Sequence, residues 1–259
     1  MLDGKVIVII GGTSGIGLSA AKACLAAGAR LVALGKDDEY AALARAALGP
    51  NAHVLTGDAT QHGAAAAGIA RAQEAFGAFD ALYHVAGGSG RRFGDGPLHA
   101  CTDTGWAETI ALNQTSVFYS NRAALAAFLD AGRGGAILNM ASVLAFSPAP
   151  AYFAAHAYAA AKAAILGLTR AAAAHYAPHG IRVNAIAPGC TDTPMAGRAR
   201  GDAAIQDYLA RKQPLDGGRM GLPEDLDAAA VFLLSDAARF VTGQVLAVDG
   251  GWSVTETGP

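Results

Sequence analysis

The sequence predicts an α/β fold, in which a single doubly wound domain has a seven-stranded parallel sheet flanked by helices on both faces. Short apolar or β-branched runs alternate along the chain with longer helical patterns, which is typical of βαβ units. The strand candidates lack a period-2 alternation, as expected when both faces of a sheet are buried. Neither a long linker nor a repeat divides the chain, so we expect one domain over 1–259.

Each element follows from this alternation in turn. The strand candidates are 5–10, 30–34, 52–56, 80–85, 135–140, 181–187 and 244–248. The helix candidates lie at about 15–27, 38–47, 61–76, 103–130, 157–177 and 224–235. Residues 190–222 interrupt the pattern, with prolines and glycines around a short helical piece from Asp202 to Lys212. A surface excursion would explain this segment, but we interpret it as a substrate lid, because insertions beyond strand ends often close on a ligand.

Composition excludes several classes of function. Apolar residues make up 53% of the chain and charged residues 15%, with a net charge of −2, so we expect no nucleic-acid partner. No run of about 20 uncharged apolar residues is present, so we expect no membrane span. The three cysteines are far apart and odd in number, which predicts neither disulfides nor a metal site and fits a reducing cytoplasm.

A glycine-rich loop lies between the first strand and the first helix. It reads Gly11-Gly12-Thr13-Ser14-Gly15-Ile16-Gly17. Glycines at 11, 15 and 17 permit a tight turn and a close approach of the backbone to a pyrophosphate at the helix N-terminus. The spacing is G-x-x-x-G-x-G, and its position after a strand favours nucleotide binding over an ordinary turn.

Tyr158 and Lys162 are four residues apart in an alanine-rich segment that favours a helix, so their side chains share one helical face. A positive charge about 5 Å from a phenolate, at an effective dielectric near 20, is worth roughly 3 kcal/mol. Such a charge lowers the tyrosine pKa by about two units and predicts a general acid/base. The spacing alone is common on helices, so the rest of the chain has to decide.

Eight features occur in the order shown by one enzyme family. They are the glycine loop, Asp58, Ala86-Gly87, Asn113, Ser142, Tyr158 with Lys162, Pro188-Gly189 with Thr193, and the segment from Thr242-Gly243-Gln244 to Val248-Asp249-Gly250-Gly251. Over nearly its full length the chain resembles the short-chain dehydrogenase/reductase family. The resemblance implies a Rossmann-type NAD(P)-binding domain and an oxidoreductase that interconverts a carbonyl and a secondary alcohol by hydride transfer.

The resemblance also implies roles for individual residues. The catalytic set would be Asn113, Ser142, Tyr158 and Lys162, with Tyr158 as proton donor or acceptor. Lys162 would lower the tyrosine pKa, Ser142 would bind the substrate oxygen, and Asn113 would hold a water that relays protons to Lys162. The cofactor-binding residues would be Gly11, Thr13, Ser14, Gly15, Ile16, Gly17, Lys36, Asp58, Ala59, Ala86, Gly87, Tyr158, Lys162, Pro188, Gly189, Thr191 and Thr193.

The chain departs from the family pattern in three places. Ile10 stands where a threonine is usual, and Tyr83-His84-Val85-Ala86-Gly87 replaces the usual Asn-Asn-Ala-Gly. We therefore expect His84 or a water to satisfy the neighbouring backbone, and interpret His84 as structural. The stretch from Ser142 to Tyr158 is about three residues longer than the family norm and contains an additional Tyr152, which has no lysine four residues on.

The end of the second strand bears on the choice of cofactor. Gly35 is neutral where an acidic residue would bind the 2′-hydroxyl of NAD, and Lys36 is cationic, so we favour NADP over NAD. Against this, Ser14 is not basic and Asp37-Asp38 bring negative charge close by.

Two alternative functions remain at this point. A 3-oxoacyl-thioester reductase would need a basic patch for its acyl-carrier-protein partner, and the arginines between 198 and 219 leave this open. A nucleotide-binding scaffold without turnover is suggested by the altered 83–85 segment and Ile10, whereas the intact catalytic set argues against it. Family members are usually tetramers, sometimes dimers, so a homo-oligomer is expected. The substrate, a small carbonyl or alcohol, is not encoded in any recognisable pattern of the loops 88–98, 143–157 and 190–222.

Overall fold

The computed structural model describes residues 1–256, and its seven strands form one parallel sheet. The strands are β1 (Val6–Ile10), β2 (Arg30–Gly35), β3 (Ala52–Thr56), β4 (Ala81–His84), β5 (Gly135–Met140), β6 (Ile181–Pro188) and β7 (Val245–Val248). Their order across the sheet is β3-β2-β1-β4-β5-β6-β7, and every neighbouring pair is parallel. The predicted doubly wound, seven-stranded sheet is therefore confirmed.

Helices cover both faces of the sheet. In chain order they are α1 (Gly15–Ala26), α2 (Asp38–Leu48), α3 (Ala64–Phe76), α4 (Asp103–Ile110), α5 (Ser116–Asp130), α6 (Pro150–Phe153), α7 (His156–Tyr176), α8 (Gly197–Gly201), α9 (Ala203–Lys212) and α10 (Asp227–Leu234). The buried side chains of α1, α2 and α10 pack on one face, and those of α3, α5 and α7 pack on the other.

The central strand β1 explains why the strands lack a polar–apolar alternation. All five of its side chains are fully buried. Ile7 and Ile9 pack against the helices of one face, while Val6, Val8 and Ile10 pack against those of the other. Each such side chain contributes about 1.5–3 kcal/mol when buried, so both faces of the strand have to be apolar.

The carboxyl ends of the central strands form the ligand-binding edge of the sheet. The chain leaves β1 toward β2 on one side, while β4 pairs with β1 on the other, which creates a topological switch point. In doubly wound sheets a crevice opens at this point, and ligands bind there. A Cβ atom on Gly11, directly after β1, would lie 2.6 Å from the backbone nitrogen of Ala86, after β4. The two loops are therefore in close contact across the switch point.

The long helix predicted for 103–130 is interrupted at its centre. It consists of α4, a π-helical turn over Ala111–Thr115, and α5. The polypeptide remains helical throughout, so the prediction is correct except for this widened turn. Such π-turns occur mostly at functional sites, and this one carries Asn113, whose side chain is fully buried.

Residues 190–222 interrupt the alternation of strands and helices. The short helical piece is α9, whose first turn is capped by the carboxylate of Asp202, and α8 precedes it. The two ends of the segment are joined by a β-bridge between Thr191 and Gly221. Within residues 1–256, no helix is long and apolar enough to cross a membrane.

Candidate active site

Two positions of the glycine loop require glycine, one because of a close contact and the other because of its backbone conformation. A Cβ atom on Gly17 would lie within 2 Å of the Gly11 carbonyl oxygen, at 1.9 Å. Gly11 itself has φ +86°, a conformation that favours glycine. Ser14 occupies the N-cap of α1 without a side-chain hydrogen bond to the helix, so its hydroxyl leaves the first N–H groups of α1 uncapped. Such N–H groups and the helix dipole favour a phosphate.

Thr13 and Gly35 are in direct contact beside this loop. A Cβ atom on Gly35, the last residue of β2, would lie 1.9 Å from Thr13 Oγ1. An acidic side chain at position 35 would therefore clash with Thr13. Thr13 is itself buried, since its side chain is 5% exposed. The absence of an acidic residue at the end of β2 is thus tied to the conformation of the glycine loop.

Lys36 and Asp58 form the opposite side of this end of the crevice. The Lys36 ammonium lies 3.7 Å from the Asp58 carboxylate, and its side chain is 58% exposed. Burial acts to raise the pKa of Asp58, but hydrogen bonds from Thr60 and the charge of Lys36 lower it overall. The neighbouring acids are occupied elsewhere, because Asp37 caps α2 and Asp38 accepts the Thr56 hydroxyl. Lys36 is therefore the exposed cation at this position.

Tyr158 and Lys162 lie on one face of α7, as predicted. The Lys162 ammonium is 5.7 Å from the centroid of the Tyr158 ring, and it donates a 2.7 Å hydrogen bond to the Met140 carbonyl at the end of β5. Lys162 is 2% exposed, and burial lowers its pKa to about 7. A lysine with this pKa can take up or release a proton near neutrality.

The pKa of Tyr158 moves in the direction opposite to the one that the helical pair predicts. Burial raises it to about 12, a hydrogen bond with Ser142 acts to lower it, and Cys190 acts to raise it. The predicted decrease is therefore wrong for the chain itself. The physical reason is that removing a phenolate from water costs more free energy than the hydrogen bond with Ser142 recovers. Lys162, in turn, donates its hydrogen bond to the Met140 carbonyl.

Ser142 lies immediately beyond β5 and next to Tyr158. It is the N-cap of a 3₁₀ turn, and its Oγ accepts a 3.2 Å hydrogen bond from the Leu144 amide. Its side chain is 6% exposed, and its hydroxyl is close enough to influence the Tyr158 phenol. The structure thus brings Ser142 and Tyr158 together, which the sequence could only infer from the family resemblance.

Asn113 fixes the loop that follows β4. Its Oδ1 accepts the Gly88 amide at 3.0 Å, and its Nδ2 donates to the carbonyls of Gly88 and Thr109 at 2.9 and 3.0 Å. A Cβ atom on Gly87 would lie 2.8 Å from Asn113 Oδ1 and 3.4 Å from Lys162 Nζ. Gly87, Asn113 and Lys162 are therefore neighbours, and a larger residue at position 87 would fill the space between them.

His84 has the structural role that the sequence predicts. It is fully buried, its Nδ1 lies 2.7 Å from the Ser120 hydroxyl, and its Nε2 lies 3.0 Å from the Ala86 carbonyl. Burial, and after it the charge of Lys162, lowers the pKa of His84 to about 3. The imidazole is therefore neutral, and because a carbonyl only accepts, Nε2 carries its proton. His84 thus satisfies the backbone where the usual asparagine is missing.

The residues after β6 connect residues 190–222, the expected lid, to the rest of the site. A Cβ atom on Gly15 would contact Thr193 at 3.3 Å, so the beginning of the lid lies against the glycine loop. Thr191 is buried and its hydroxyl donates to the Gly189 carbonyl. Gln213, which the sequence did not indicate, holds the base of the lid by bonding to both the amide and the carbonyl of Cys190.

The lid packs on the lengthened loop before Tyr158. That loop contains α6, whose Tyr152 and Phe153 rings meet Tyr208 of the lid at centroid distances of 5.2 and 6.4 Å. Phe153 also packs edge-on against Trp252, whose indole donates to the Ser147 carbonyl. The additional residues therefore build an aromatic cluster, consisting of Tyr152, Phe153, Tyr208 and Trp252, between the loop and the lid.

Asp95 was missed by sequence reasoning. It is 5% exposed, and its two carboxylate oxygens accept the backbone amides of Ala157 and Tyr158, each at 3.0 Å. Asp95 therefore caps the first turn of α7, where a negative charge is favourable. Asp95 lies 63 residues before Tyr158 in the chain, so no local sequence pattern could have indicated this contact.

The remaining cofactor candidates lie at or shortly after the carboxyl ends of strands. Ile16 is the second residue of α1, Ala59 packs against the core cluster that includes Leu34 of β2, and Pro188 ends β6. Among residues 1–256, no three His, Cys, Asp or Glu side chains are grouped so that they could hold a metal ion. All the catalytic candidates therefore lie at the carboxyl edge of the sheet, between the glycine loop and the lid.

Known proteins resemble this chain over almost its whole length. A family model described as enoyl-(acyl carrier protein) reductase matches residues 11–253. The chain is 37% identical to a 2,5-dichloro-2,5-cyclohexadiene-1,4-diol dehydrogenase of Sphingobium indicum, with 97% of this chain and 98% of that protein covered.

Two solved structures share the fold. A short-chain type dehydrogenase/reductase from Mycobacterium ulcerans superposes with a TM-score of 0.89 at 31% identity, covering 98% of this chain and 92% of that one. A 3-ketoacyl-(acyl-carrier-protein) reductase from Brucella melitensis, complexed with NADH, superposes with a TM-score of 0.85 at 29% identity. The coverage is 98% of this chain and 100% of that structure.

Proposed function

This chain belongs to the short-chain dehydrogenase/reductase family, and we propose that Tyr158 is the general acid/base of its reaction. The protein is an oxidoreductase that uses a nicotinamide cofactor and interconverts a carbonyl and a secondary alcohol of a small molecule. The observation that carries the proposal is the grouping of Tyr158, Lys162 and Ser142 at the carboxyl edge of the sheet.

We propose that the cofactor binds along the crevice from the glycine loop to the base of the lid. The cradle fits a dinucleotide, because Gly11 and Gly17 leave no room for side chains and the Ser14 side chain leaves the first amides of α1 uncapped. Asp58 and Lys36 would hold the adenosine end, and Gly189, Thr191 and Thr193 the nicotinamide end. When bound, the nicotinamide supplies or accepts the hydride.

NADP is the cofactor that we propose within this site. Lys36 is an exposed cation at the end of β2, and Gly35 is pressed against Thr13 where an acidic side chain would repel a 2′-phosphate. Asp37 and Asp38, which argued for NAD, are engaged with the α2 cap and with Thr56. Lys36 would contact the 2′-phosphate directly.

In the direction of carbonyl reduction, the Tyr158 hydroxyl would donate its proton to the substrate oxygen, and Ser142 would hydrogen-bond that oxygen. A raised pKa keeps Tyr158 protonated at neutral pH, so it is ready to donate. Lys162, with its pKa of about 7, would pass a proton to Tyr158 in turn. Asn113 would hold the backbone at Gly88 beside Lys162 and order the water of the proton relay.

The carrier-protein alternative is not favoured. Two of the arginines that could form the basic patch are neutralised, because Arg200 pairs with Asp192, and Arg219 pairs with Asp216 and Asp225. We also propose that residues 190–222 close over the substrate, since they pack on the lengthened loop through the aromatic cluster. A lid of this kind excludes water from the reacting centre.

We propose further that the chain assembles into a homotetramer through α5 and α7. A groove between these helices is lined by apolar and small residues, among them Phe118 of α5 and Ala164 and Leu168 of α7. Phe118 is 44% exposed, which is a large apolar surface for an isolated chain. The small side chains permit close helix packing.

The function is tested by a screen of secondary alcohols and their ketones with NADP⁺, NAD⁺ and the reduced cofactors, followed by absorbance of the reduced nicotinamide. We expect cofactor turnover with at least one alcohol–ketone pair, in both directions. Tight cofactor binding without turnover of any pair would favour the scaffold alternative.

A further inference from the structure

Two arginines from different loops meet on one backbone carbonyl at the mouth of the site. Arg91, in the loop after β4, donates to the Tyr152 carbonyl at 3.3 Å, and Arg198 of α8 donates to the same oxygen at 2.7 Å. Arg198 also lies 5.5 Å from the centroid of the Phe153 ring. The two arginines therefore come from different segments, and both bind the backbone of the loop before Tyr158.

The arginine pair is compensated only in part, since the charge of Asp95 acts to raise the pKa of Arg91 without forming an ion pair with it. Among residues 1–256, no carboxylate lies within 4.0 Å of either guanidinium, while the ion pairs of the lid use Arg200 and Arg219. Asp95 is nearby, but both of its oxygens accept amides at the start of α7. Burial, and then the charge of Arg198, lowers the pKa of Arg91, which shows that like charges have been brought together. This arrangement costs free energy unless an anion joins it.

Contacts of the loop after β4 connect the arginine pair to the site. The Ser89 amide, two residues before Arg91, contacts Met195 of the lid, and the adjacent Gly88 is bonded to Asn113. Arg198 is close enough to Cys190 to act on its pKa, and Cys190 in turn acts on Tyr158. Both guanidiniums bind the carbonyl of Tyr152, which lies shortly before Tyr158 in the chain, so an anion held by the pair would lie on the loop that leads into the helix of Tyr158.

We propose that Arg91 and Arg198 bind a carboxylate or sulfonate group of the substrate and so orient its alcohol carbon toward Tyr158. The proposal rests on the oxidoreductase function proposed above, and adds the charge of its substrate. Guanidinium groups match planar and tetrahedral oxyanions with paired N–H donors, and such hydrogen bonds are about twice as strong as neutral ones. The adjacent aromatic cluster would contact the apolar body of the same molecule.

The test compares two probes that share a ring and differ in charge, cyclohexanecarboxylate and cyclohexanecarboxamide. Their affinities are measured by isothermal titration calorimetry on the full chain with its cofactor bound. We expect the carboxylate to bind at least about tenfold more tightly than the amide. Arg91→Gln and Arg198→Gln each keep a donor for the Tyr152 carbonyl but remove the charge, so each should reduce this preference several-fold, and the double variant should abolish it.

Two control variants separate charge from folding. Arg92→Gln removes a neighbouring guanidinium that stacks on Phe93, and it should keep the full preference. Arg198→Lys keeps the charge and should keep most of it. Equal binding of the two probes to the wild type, absence of carboxylate binding, or an unchanged preference in the double variant would overturn the proposal.

Turnover distinguishes this proposal from the function on which it rests. Oxidation of neutral cyclohexanol without any preference for the carboxylate probe would refute only the anion site. Selective carboxylate binding in a protein that oxidises no alcohol would instead refute the proposed reaction.

Discussion

The carboxylate of Asp95 accepts the backbone amide of Tyr158 at 3.0 Å, and its second oxygen accepts the amide of Ala157. The side chain thereby joins the loop after β4 to the first turn of the helix that carries the proposed acid/base. Further along the same loop, the Leu98 amide donates to His156 at 2.9 Å, so both Asp95 and Leu98 connect the loop to the start of α7. The orientation of Tyr158 therefore depends on Asp95, which lies 63 residues earlier in the chain.

Asp95→Asn should reduce turnover roughly tenfold and destabilise the protein by about 1–2 kcal/mol, because only one amide oxygen remains to cap the helix and its negative charge is lost. Steady-state kinetics and urea denaturation measure the two effects. Asp103→Asn, which removes an exposed acid from the first turn of α4, is the matched control and should change turnover little. Unchanged kcat in Asp95→Asn would show that the cap does not position Tyr158.

Tyr158→Phe should lower kcat by at least about 10³-fold, because a positioned general acid/base contributes about 10²–10⁴-fold and phenylalanine has no proton to transfer. Cofactor affinity, measured by quenching of protein fluorescence, should change by less than about threefold. Tyr152→Phe is the control, since its ring packs on Tyr208 and this contact survives the change. Substantial activity in Tyr158→Phe would refute the mechanism.

The buried Lys162 makes stability depend on pH in a predictable direction. Its folded pKa of about 7 lies below the ordinary value of 10.5, so between these values the unfolded chain binds more protons than the folded one. The contribution of Lys162 to stability therefore increases as pH rises from about 7 toward 10.5. Comparison of wild type with Lys162→Met by chemical denaturation isolates this contribution, since the other titrating groups are common to both.

The wild type should gain stability relative to Lys162→Met as the pH is raised from about 7 to 9. A difference that is flat with pH would mean that Lys162 keeps its ordinary pKa in the folded chain.

Lys36→Ala should weaken NADPH binding about tenfold and leave NADH binding within about twofold, since an exposed cation beside a 2′-phosphate is worth roughly 1 kcal/mol or somewhat more. Fluorescence titration of the two cofactors gives both constants. Lys22→Ala removes an exposed lysine of α1 and serves as the control. A tenfold preference of the wild type for NADH would contradict the assignment of Lys36.

Phe118→Glu should convert a tetramer into smaller species, because a charge in the groove between α5 and α7 would be buried without a partner. Light scattering coupled to size-exclusion chromatography measures the mass. Leu43→Glu introduces the same charge at a 58% exposed position on α2, which packs on the other face of the sheet, and should leave the mass unchanged. A monomeric wild type would contradict the proposed assembly.

The sequence alone determined the sheet, the order of its elements and the position of most site residues. These are local properties, since apolar runs mark strands that are buried on both faces, and closely spaced glycines mark the loop after β1. The structure shows why glycine is needed there, because these positions have a positive φ or no space for a side chain. The residues that follow the strands then fall at one edge of a parallel sheet. The helical spacing of Tyr158 and Lys162 likewise placed them on one face of α7.

Only the tertiary structure decided how these groups are charged and what holds them. The pKa of Tyr158 depends on the atoms that replace water around its hydroxyl, and this desolvation has no signature in a four-residue spacing. Asp95 reaches α7, and Arg91 reaches Arg198 through the Tyr152 carbonyl, across long stretches of chain. Such contacts arise from loop packing, so the sequence located the chemistry while the fold set its electrostatics and the mouth of its pocket.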